Sequence, residues 1–447
     1  MHIDFFLERF RASSENEAMI WHDKVYTYHD MLSYVEQDRA KLKEYISSPM
    51  VVSIEADFSP HAAALLLVLI DLGCVIVPLT ESVANKKEEF KDIAQVEATV
   101  ILHDDDSFSF QTENRRADHA IIQKLKRENH PGLVLFSSGS TGKSKAAVHD
   151  FLPLLEKFKV LRKCLRMLTF LLFDHIGGIN TLLYVLSNTG CIITLDSRQP
   201  EAVCRNIEKY HAEVLPTSPS FISLFLLSEA YKNYDLSSLK MVTYGTEAMP
   251  ESTLKRFHEL FPHVKLLQTY GLSEIGIMRS KSLSSDSLWV KIGGEDFQTR
   301  VADGLLEIKA KSAMLGYLNA PSPFTEDGWF KTGDEVLVDG EYFRILGRRS
   351  EMINVGGQKV FPAEVESVMQ EMDGVEDVVV SGEANPMLGS IVKARVKIAG
   401  NESLTDFKKR LRQFCKGRLE RYKIPQKVEL IDHMMTGARF KKMRREE

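Results

Sequence analysis

The chain has 447 residues, 57 Lys and Arg against 62 Asp and Glu, and a formal charge of −5. With 44% apolar and 27% charged residues it has the make-up of a soluble globular protein, which excludes a disordered or collagen-like chain and gives no reason to expect nucleic acid as a partner. The charge is uneven: residues 348–447 hold 20 Lys and Arg against 15 Asp and Glu, a net of +5, so the remainder carries −10.

The N-terminal residues through Arg9 lack the basic region and long apolar run of a signal peptide. The most apolar stretch, Ala62 to Leu79, is broken by Asp71, Gly73 and Pro78 and reads as a helix ending at Gly73, then a strand, so no membrane span is expected. Strand Val51–Ile54, helix His61–Leu72, strand Cys74–Val77, helix Lys86–Ala94 and strand Thr99–Leu102 alternate. The alternation resumes with helix Thr181–Ser187, strand Cys191–Thr194, helix Pro200–Tyr210 and strand Glu213–Pro216. Helix Pro219–Leu227, strand Met241–Tyr244, helix Glu251–Leu260 and strand Lys265–Thr269 complete it. Such alternation with short connections predicts an α/β fold of largely parallel sheets flanked by helices. Between about 285 and 345, short β segments separated by Gly, Pro and Asp predict a small antiparallel or barrel-like portion. After Gly347 a small α+β unit begins, with helix Pro362–Gln370, strands Val375–Ser381 and Ile391–Lys397, and helix Thr405–Arg418. The expected domains are therefore 1–347 and 348–447. The five cysteines form no CxxC pair and no metal-ligand spacing, which fits free thiols in a reducing, cytoplasmic compartment.

The most informative stretch runs from Leu133 to Ala146. An apolar strand ends at Phe136, and Ser137, Ser138, Gly139, Ser140, Thr141, Gly142, Lys143, Ser144 and Lys145 follow. Glycines let backbone N–H groups curl around an oxyanion, hydroxyls add donors and lysines add charge. A P-loop needs four residues between its glycines, whereas Gly139 and Gly142 enclose two and position 137 is Ser, so a P-loop NTPase is disfavoured.

This loop resembles the phosphate loop of the adenylate-forming superfamily (acyl- and aryl-CoA synthetases, nonribosomal adenylation domains, luciferases). Four further motifs follow in that family's order. Tyr244-Gly-Thr-Glu-Ala248 is similar to the adenine-contacting segment, with Gly245, Thr246 and Glu247 as nucleotide contacts. Gln268-Thr-Tyr-Gly-Leu-Ser-Glu274 is similar to the Y-G-x-T/S-E element, Trp329-Phe-Lys-Thr-Gly-Asp334 to the T-G-D element, and Gly347–Glu366 to the hinge and following loop. The resemblance implies that Thr269, Tyr270, Gly271 and Ser273 line the nucleotide, the Tyr270 ring stacking on the purine. It implies that Glu274 binds Mg²⁺, a cation that prefers oxygen ligands, and that Asp334 and Arg348 hold the ribose or a phosphate.

Phe173-Asp-His-Ile-Gly-Gly178 matches a His-x-x-Gly element, in which His175 gates the carboxylate pocket of acyl-CoA synthetases. Amino-acid-activating members instead place an Asp after Phe to hold the substrate ammonium, and Asp174 fits that alternative. The expected pocket comprises Phe173, Asp174, His175, Gly178 and Tyr244. At the tail the family pattern P-x-T-x-x-G-K-x-x-R puts the catalytic lysine at Lys441 and the arginine at Arg444. Met435 then stands for proline, Gly437 for threonine and Phe440 for glycine. Thr141, Glu274 and His175 are the other expected catalytic residues.

The resemblance implies two-step carboxylate activation: acyl-AMP and pyrophosphate form from ATP, then a thiol takes the acyl group. The expected partners are a small carboxylic acid, ATP and coenzyme A, or the phosphopantetheine of an acyl or peptidyl carrier protein. The C-terminal unit would rotate about Ser350 between the steps, and Gly356 and Gly357 would line the thiol tunnel. A non-catalytic nucleotide-binding protein is the expectation from another class.

Overall fold

The computed structural model describes residues 2–138, 144–163, 165–294, 296–433, 437 and 440–444, the side chain of Ser138 excepted. Two seven-stranded sheets form the N-terminal body. In the first, strands Lys265–Gln268, Met241–Tyr244, Val214–Thr217, Arg166–Leu168, Cys191–Ile193 and Glu17–Trp21 run parallel in that spatial order, and Lys24–Thr27 closes the edge antiparallel. In the second, Gly132–Ser138, Val75–Leu79, Val51–Glu55 and Ala98–Leu102 form the parallel centre. Ser144–Asp150 and Gly316–Tyr317 extend one antiparallel edge, and Phe108–Thr112 the other.

Helices cover these sheets because their ends are encoded locally. Pro60 starts helix Pro60–Asp71, with the Ser59 hydroxyl accepting from the Ala62 amide, and Gly73 just beyond it takes a left-handed φ of 70°. Helix Pro219–Ser228 likewise has Pro219 in its first turn, and the Ser218 hydroxyl accepts from the Phe221 amide. The apolar residues of helix Pro60–Asp71 join a core that runs from Ile3 through Leu65 and Leu183 to Val214, and those of helix Pro219–Ser228 a second core with Leu168, Phe221 and Val242.

The β-rich stretch is a six-stranded antiparallel sheet, in spatial order Arg279–Ser282, Trp289–Gly293, Tyr342–Arg348, Phe330–Asp339, Leu305–Ala310 and Phe297–Ala302. A short turn, Arg349–Glu351, leads from it to a separate five-stranded sheet built from Ile353 to Ile431. That sheet packs with helices Pro362–Gln370 and Leu404–Cys415 around its own core, which includes Val365, Val378, Val396 and Phe407.

The strand expected to end at Phe136 continues to Ser138, because the chain returns as Ser144–Asp150 and pairs Ser137 with Lys145 and Ser138 with Ser144. The two strands that flank residues 139–143 are thus antiparallel partners, whereas a P-loop leads into a helix. Among the described residues no helix is long and apolar enough to cross a membrane. Cys74, Cys191, Cys204 and Cys415 are buried, and burial pushes the Cys74 and Cys415 thiols up to about 11 and that of Cys204 to about 12.

Candidate active site

Strands Met241–Tyr244 and Lys265–Gln268 end side by side, and the segments leaving their carboxyl ends form a cleft of about 100 Å³. Gly245, Thr246 and Glu247 line one wall and Thr269, Tyr270 and Gly271 another. The two walls touch closely: a Cβ on Gly245 would stand 2.7 Å from the Thr269 carbonyl oxygen, so only glycine fits. Asp334 and Arg348, from further along the chain, complete the cleft from the antiparallel sheet. The Tyr270 hydroxyl donates to Asp334 Oδ2, and Arg348 Nε lies 3.7 Å from Oδ1. Burial pushes the Asp334 carboxyl up, against the pull of Arg348. Eight expected nucleotide contacts therefore meet in one place. Leu346, Ala363 and Arg444 line the same cleft.

Glu247 has a second task. Its Oε1 accepts from the Ser220 amide at 2.8 Å and its Oε2 from the Lys442 amide at 3.3 Å, so it ties the tail to the start of helix Pro219–Ser228.

Glu274 lies on the turn between the paired strands Gly271–Leu272 and Gly276–Ile277, and its Oε1 accepts from the Tyr317 hydroxyl at 2.8 Å. The Lys145 ammonium sits over the Tyr317 ring at 5.3 Å, which joins strand Ser144–Asp150 to Glu274. Tyr317 belongs to no motif. The Ser273 carbonyl faces His149 Nε2 at 2.5 Å, while His149 Nδ1 faces the Ser312 carbonyl at 3.2 Å. Burial pushes this imidazole below its ordinary range. Gly139, Ser140, Thr141, Gly142 and Lys143 lie outside the described residues, as does the Ser138 side chain. No cluster of three or more His, Cys, Asp or Glu suited to a metal ion occurs among the described residues.

A larger cavity of about 710 Å³ lies beside Leu171 and Leu172, with Phe58, Arg198, Leu224 and Phe440 among its walls. The expected pocket residues Phe173, Asp174, His175, Gly178 and Tyr244 are not among the residues that line it. Phe173 is fully buried with its ring edge-on to Phe58, and Asp174 Oδ2 accepts from the Thr80 hydroxyl at 3.0 Å. His175 Nδ1 accepts from the Gly177 amide at 3.1 Å and caps helix Ile176–Ser187, which fixes the proton of a neutral ring on Nε2. A Cβ on Gly178 would stand 1.9 Å from the Leu172 carbonyl oxygen, so the His-x-x-Gly spacing has a packing cause. Tyr244 is buried, and its hydroxyl is pushed up by burial.

The tail reaches both cavities: Gly437 and Phe440 line the larger and Arg444 the smaller. Lys442 is withdrawn from either. Its ammonium, 5% exposed, lies 3.2 Å from Glu366 Oε2 and donates to the Val378 carbonyl at 2.9 Å. Arg444 donates to the same Glu366 oxygen at 2.9 Å and lies 3.1 Å from Glu351. Burial would raise the Glu366 carboxyl, but Lys442 and Arg444 hold it below its ordinary range. Ser350 is exposed in the Arg349–Glu351 turn. Gly356 and Gly357, at φ 58° and 90°, form the exposed turn between strands Ile353–Val355 and Gln358–Val360.

Two family profiles match the chain: AMP-binding enzyme over residues 47–295 and AMP-binding enzyme C-terminal domain over residues 364–441. Indoleacetate–CoA ligase of Aromatoleum aromaticum is 28% identical, the match taking in 69% of this chain and 65% of the relative. Acyl-CoA synthetase 7 of Caenorhabditis elegans is 31% identical over 69% of this chain and 63% of the relative. The chain thus spans just under two thirds of either relative's length. The solved o-succinylbenzoate CoA synthetase of Bacillus subtilis, bound to its acyl-adenylate intermediate, superimposes with a TM-score of 0.77 at 19% identity, covering 98% of this chain and 96% of that one, and shares the fold. With the first profile matching more than half of its length, this chain belongs to the AMP-binding enzyme family.

Proposed function

We propose that the protein activates a carboxylic acid with ATP and passes the acyl group to the thiol of coenzyme A. The observation that carries this reading is the cleft in which Gly245, Thr246, Tyr270, Asp334 and Arg348 meet, with the tail beside it. The relatives named as CoA ligases support the acceptor.

In the first step a carboxylate oxygen of the acid bonds to the α-phosphorus and the bond to the β-phosphate bridge breaks, releasing pyrophosphate. In the second, the thiol sulfur bonds to the acyl carbon and AMP leaves with the electron pair of the acyl–oxygen bond. The chain's task is to bring anions together and spread phosphate charge. Tyr270 and Gly245 would enclose the base, Asp334 and Arg348 would hold the ribose, and Lys145 and Lys441 would face the phosphates. Glu274 offers the single carboxylate that suits Mg²⁺ held mainly by phosphates and water; when bound, that ion supplies further charge neutralisation. The larger cavity, lined by Leu171 and Leu172, gives room for the organic partner. His175, which caps its helix, would position that wall.

We place the boundary between a 1–347 body and a 348–447 cap at the Arg349–Glu351 turn, with Ser350 as the pivot and the Gly356–Gly357 turn as the part that meets the thiol. The buried cysteine thiols support a cytoplasmic setting. The test is pyrophosphate release from ATP and Mg²⁺ across a panel of aliphatic, aromatic and amino acids, followed by AMP release on adding coenzyme A. Acid-dependent release completed by coenzyme A is expected. Turnover with a phosphopantetheinylated carrier alone would overturn the acceptor, and no release with any acid would overturn the activity.

A further inference from the structure

The family pattern has glycine immediately before the tail lysine, and this chain has Phe440. Its backbone takes φ 49°, the left-handed region that glycine enters freely and a side chain resists. The ring shows what holds it there. It packs 5.3 Å from Phe170 and 5.6 Å from Phe221, edge-on to the latter, and those two rings are themselves 4.3 Å apart. Phe440 thereby joins the apolar core built around the strands of the first sheet, although it belongs to the tail of the chain.

The backbone is held on the same side. The Ser218 hydroxyl, which already caps helix Pro219–Ser228, donates to the Phe440 carbonyl at 2.7 Å, and Glu247 accepts from the Lys442 amide. On the other side, Lys442 and Arg444 are bound to Glu366 of the C-terminal sheet unit. Lys441 lies between these two sets of bonds.

We propose that Phe440 is a positioning residue: its ring, seated on Phe170 and Phe221, holds the tail in the arrangement that presents Lys441 for adenylate formation. This inference rests on the acid-activating reading. Where a glycine would leave the turn before the lysine free to open, the aromatic anchor favours the adenylate-forming arrangement over the thiol-transfer one. Phe440 acts through Lys441; because its ring is also a wall of the larger cavity, that role is read with the acid at saturation.

The first arm of the test needs no acid. Hydrogen–deuterium exchange on the full chain, read by mass spectrometry over residues 440–444, is expected to rise about tenfold in Phe440→Ala, the loss of two ring contacts, and to stay near the parent level in Phe440→Tyr. Unchanged exchange in Phe440→Ala would overturn the anchor whatever the protein's activity. The second arm uses an acid that drives pyrophosphate release in the parent chain. Phe440→Ala is expected to lower kcat of the first half-reaction about tenfold at saturating acid, with KM for ATP and kcat of transfer from saturating acyl-AMP each within about twofold of the parent. Equal losses in both half-reactions would overturn the proposal. If no acid drives release in the parent chain while the exchange arm behaves as expected, the activity reading fails and the anchor stands as a structural contact only.

Discussion

Removing the carboxylate of Glu366 is expected to loosen the tail more than any single surface change. Glu366 is 1% exposed, and its Oε2 takes Lys442 at 3.2 Å and Arg444 at 2.9 Å while Oε1 accepts from the Val380 amide at 2.9 Å. At an effective dielectric near 20, one such ion contact is a gross attraction of about 5 kcal/mol. Desolvation of the three groups offsets most of it, yet deleting one partner of a buried pair leaves the others uncompensated and costs about 3–5 kcal/mol. Glu366→Ala should therefore destabilise the C-terminal unit by about that much in urea unfolding of the full chain, and Glu366→Gln by less, since its amide oxygen still accepts from Val380. The sign of the pH effect is fixed by the depressed carboxyl: its contribution is present above the ordinary value of 4.5 and is lost as pH falls through the lower folded value. A loss under about 1 kcal/mol in Glu366→Ala, or a parent chain with no extra acid sensitivity relative to it, would refute this reasoning.

Two further outcomes are expected. Lys157 donates to Asn180 Oδ1 and the Ile277 carbonyl, and burial, helped by Arg162, lowers its pKa to about 7 from 10.5. The unfolded chain then binds the extra proton between those values, so stability should rise from pH 7 toward 10.5, by up to about 1.4 kcal/mol per unit. Lys157→Met should flatten that slope in urea titrations at stepped pH, and an unchanged slope would count against it. Gly178→Ala should lower Tm and reshape the Leu171–His175 segment, because its Cβ meets the Leu172 carbonyl at 1.9 Å; a variant with parent Tm and parent pyrophosphate release would show that the contact relaxes freely.

The fold was most legible where punctuation was explicit. Helices Pro200–Tyr210 and Pro362–Gln370 each have a proline in the first turn, and the structure keeps their expected bounds, as it does those of Glu251–Leu260 and strand Met241–Tyr244. The first hairpin, Glu17–Trp21 with Lys24–Thr27, escaped because His22 and Asp23 occupy its two left-handed positions, where Asn and Gly are the usual signal. Helix Tyr28–Lys43 did carry a signal, the reciprocal Thr27–Asp30 capping box, that could have found it. Helix Asp4–Ala12 has no side-chain cap to announce its start.

The site divides the same way. Gly245, Tyr270 and Asp334 stood in motifs, and the cleft assembles them. Tyr317, whose hydroxyl reaches Glu274 across 43 residues, and the use of Glu247 to hold the tail depend on tertiary approach that no local pattern encodes. The basic character of residues 348–447 likewise becomes specific only in part: Lys442 and Arg444 are held by Glu366 of the C-terminal unit.

The most direct test of the account is acid-dependent exchange of pyrophosphate into ATP, measured on the parent chain and on Lys441→Ala, with transfer from supplied acyl-AMP to coenzyme A measured beside it. Loss of a preorganised charge at the reacting phosphate should lower exchange by about 100-fold or more while leaving transfer near the parent rate. Equal loss in both half-reactions, or full exchange in the variant, would contradict the account.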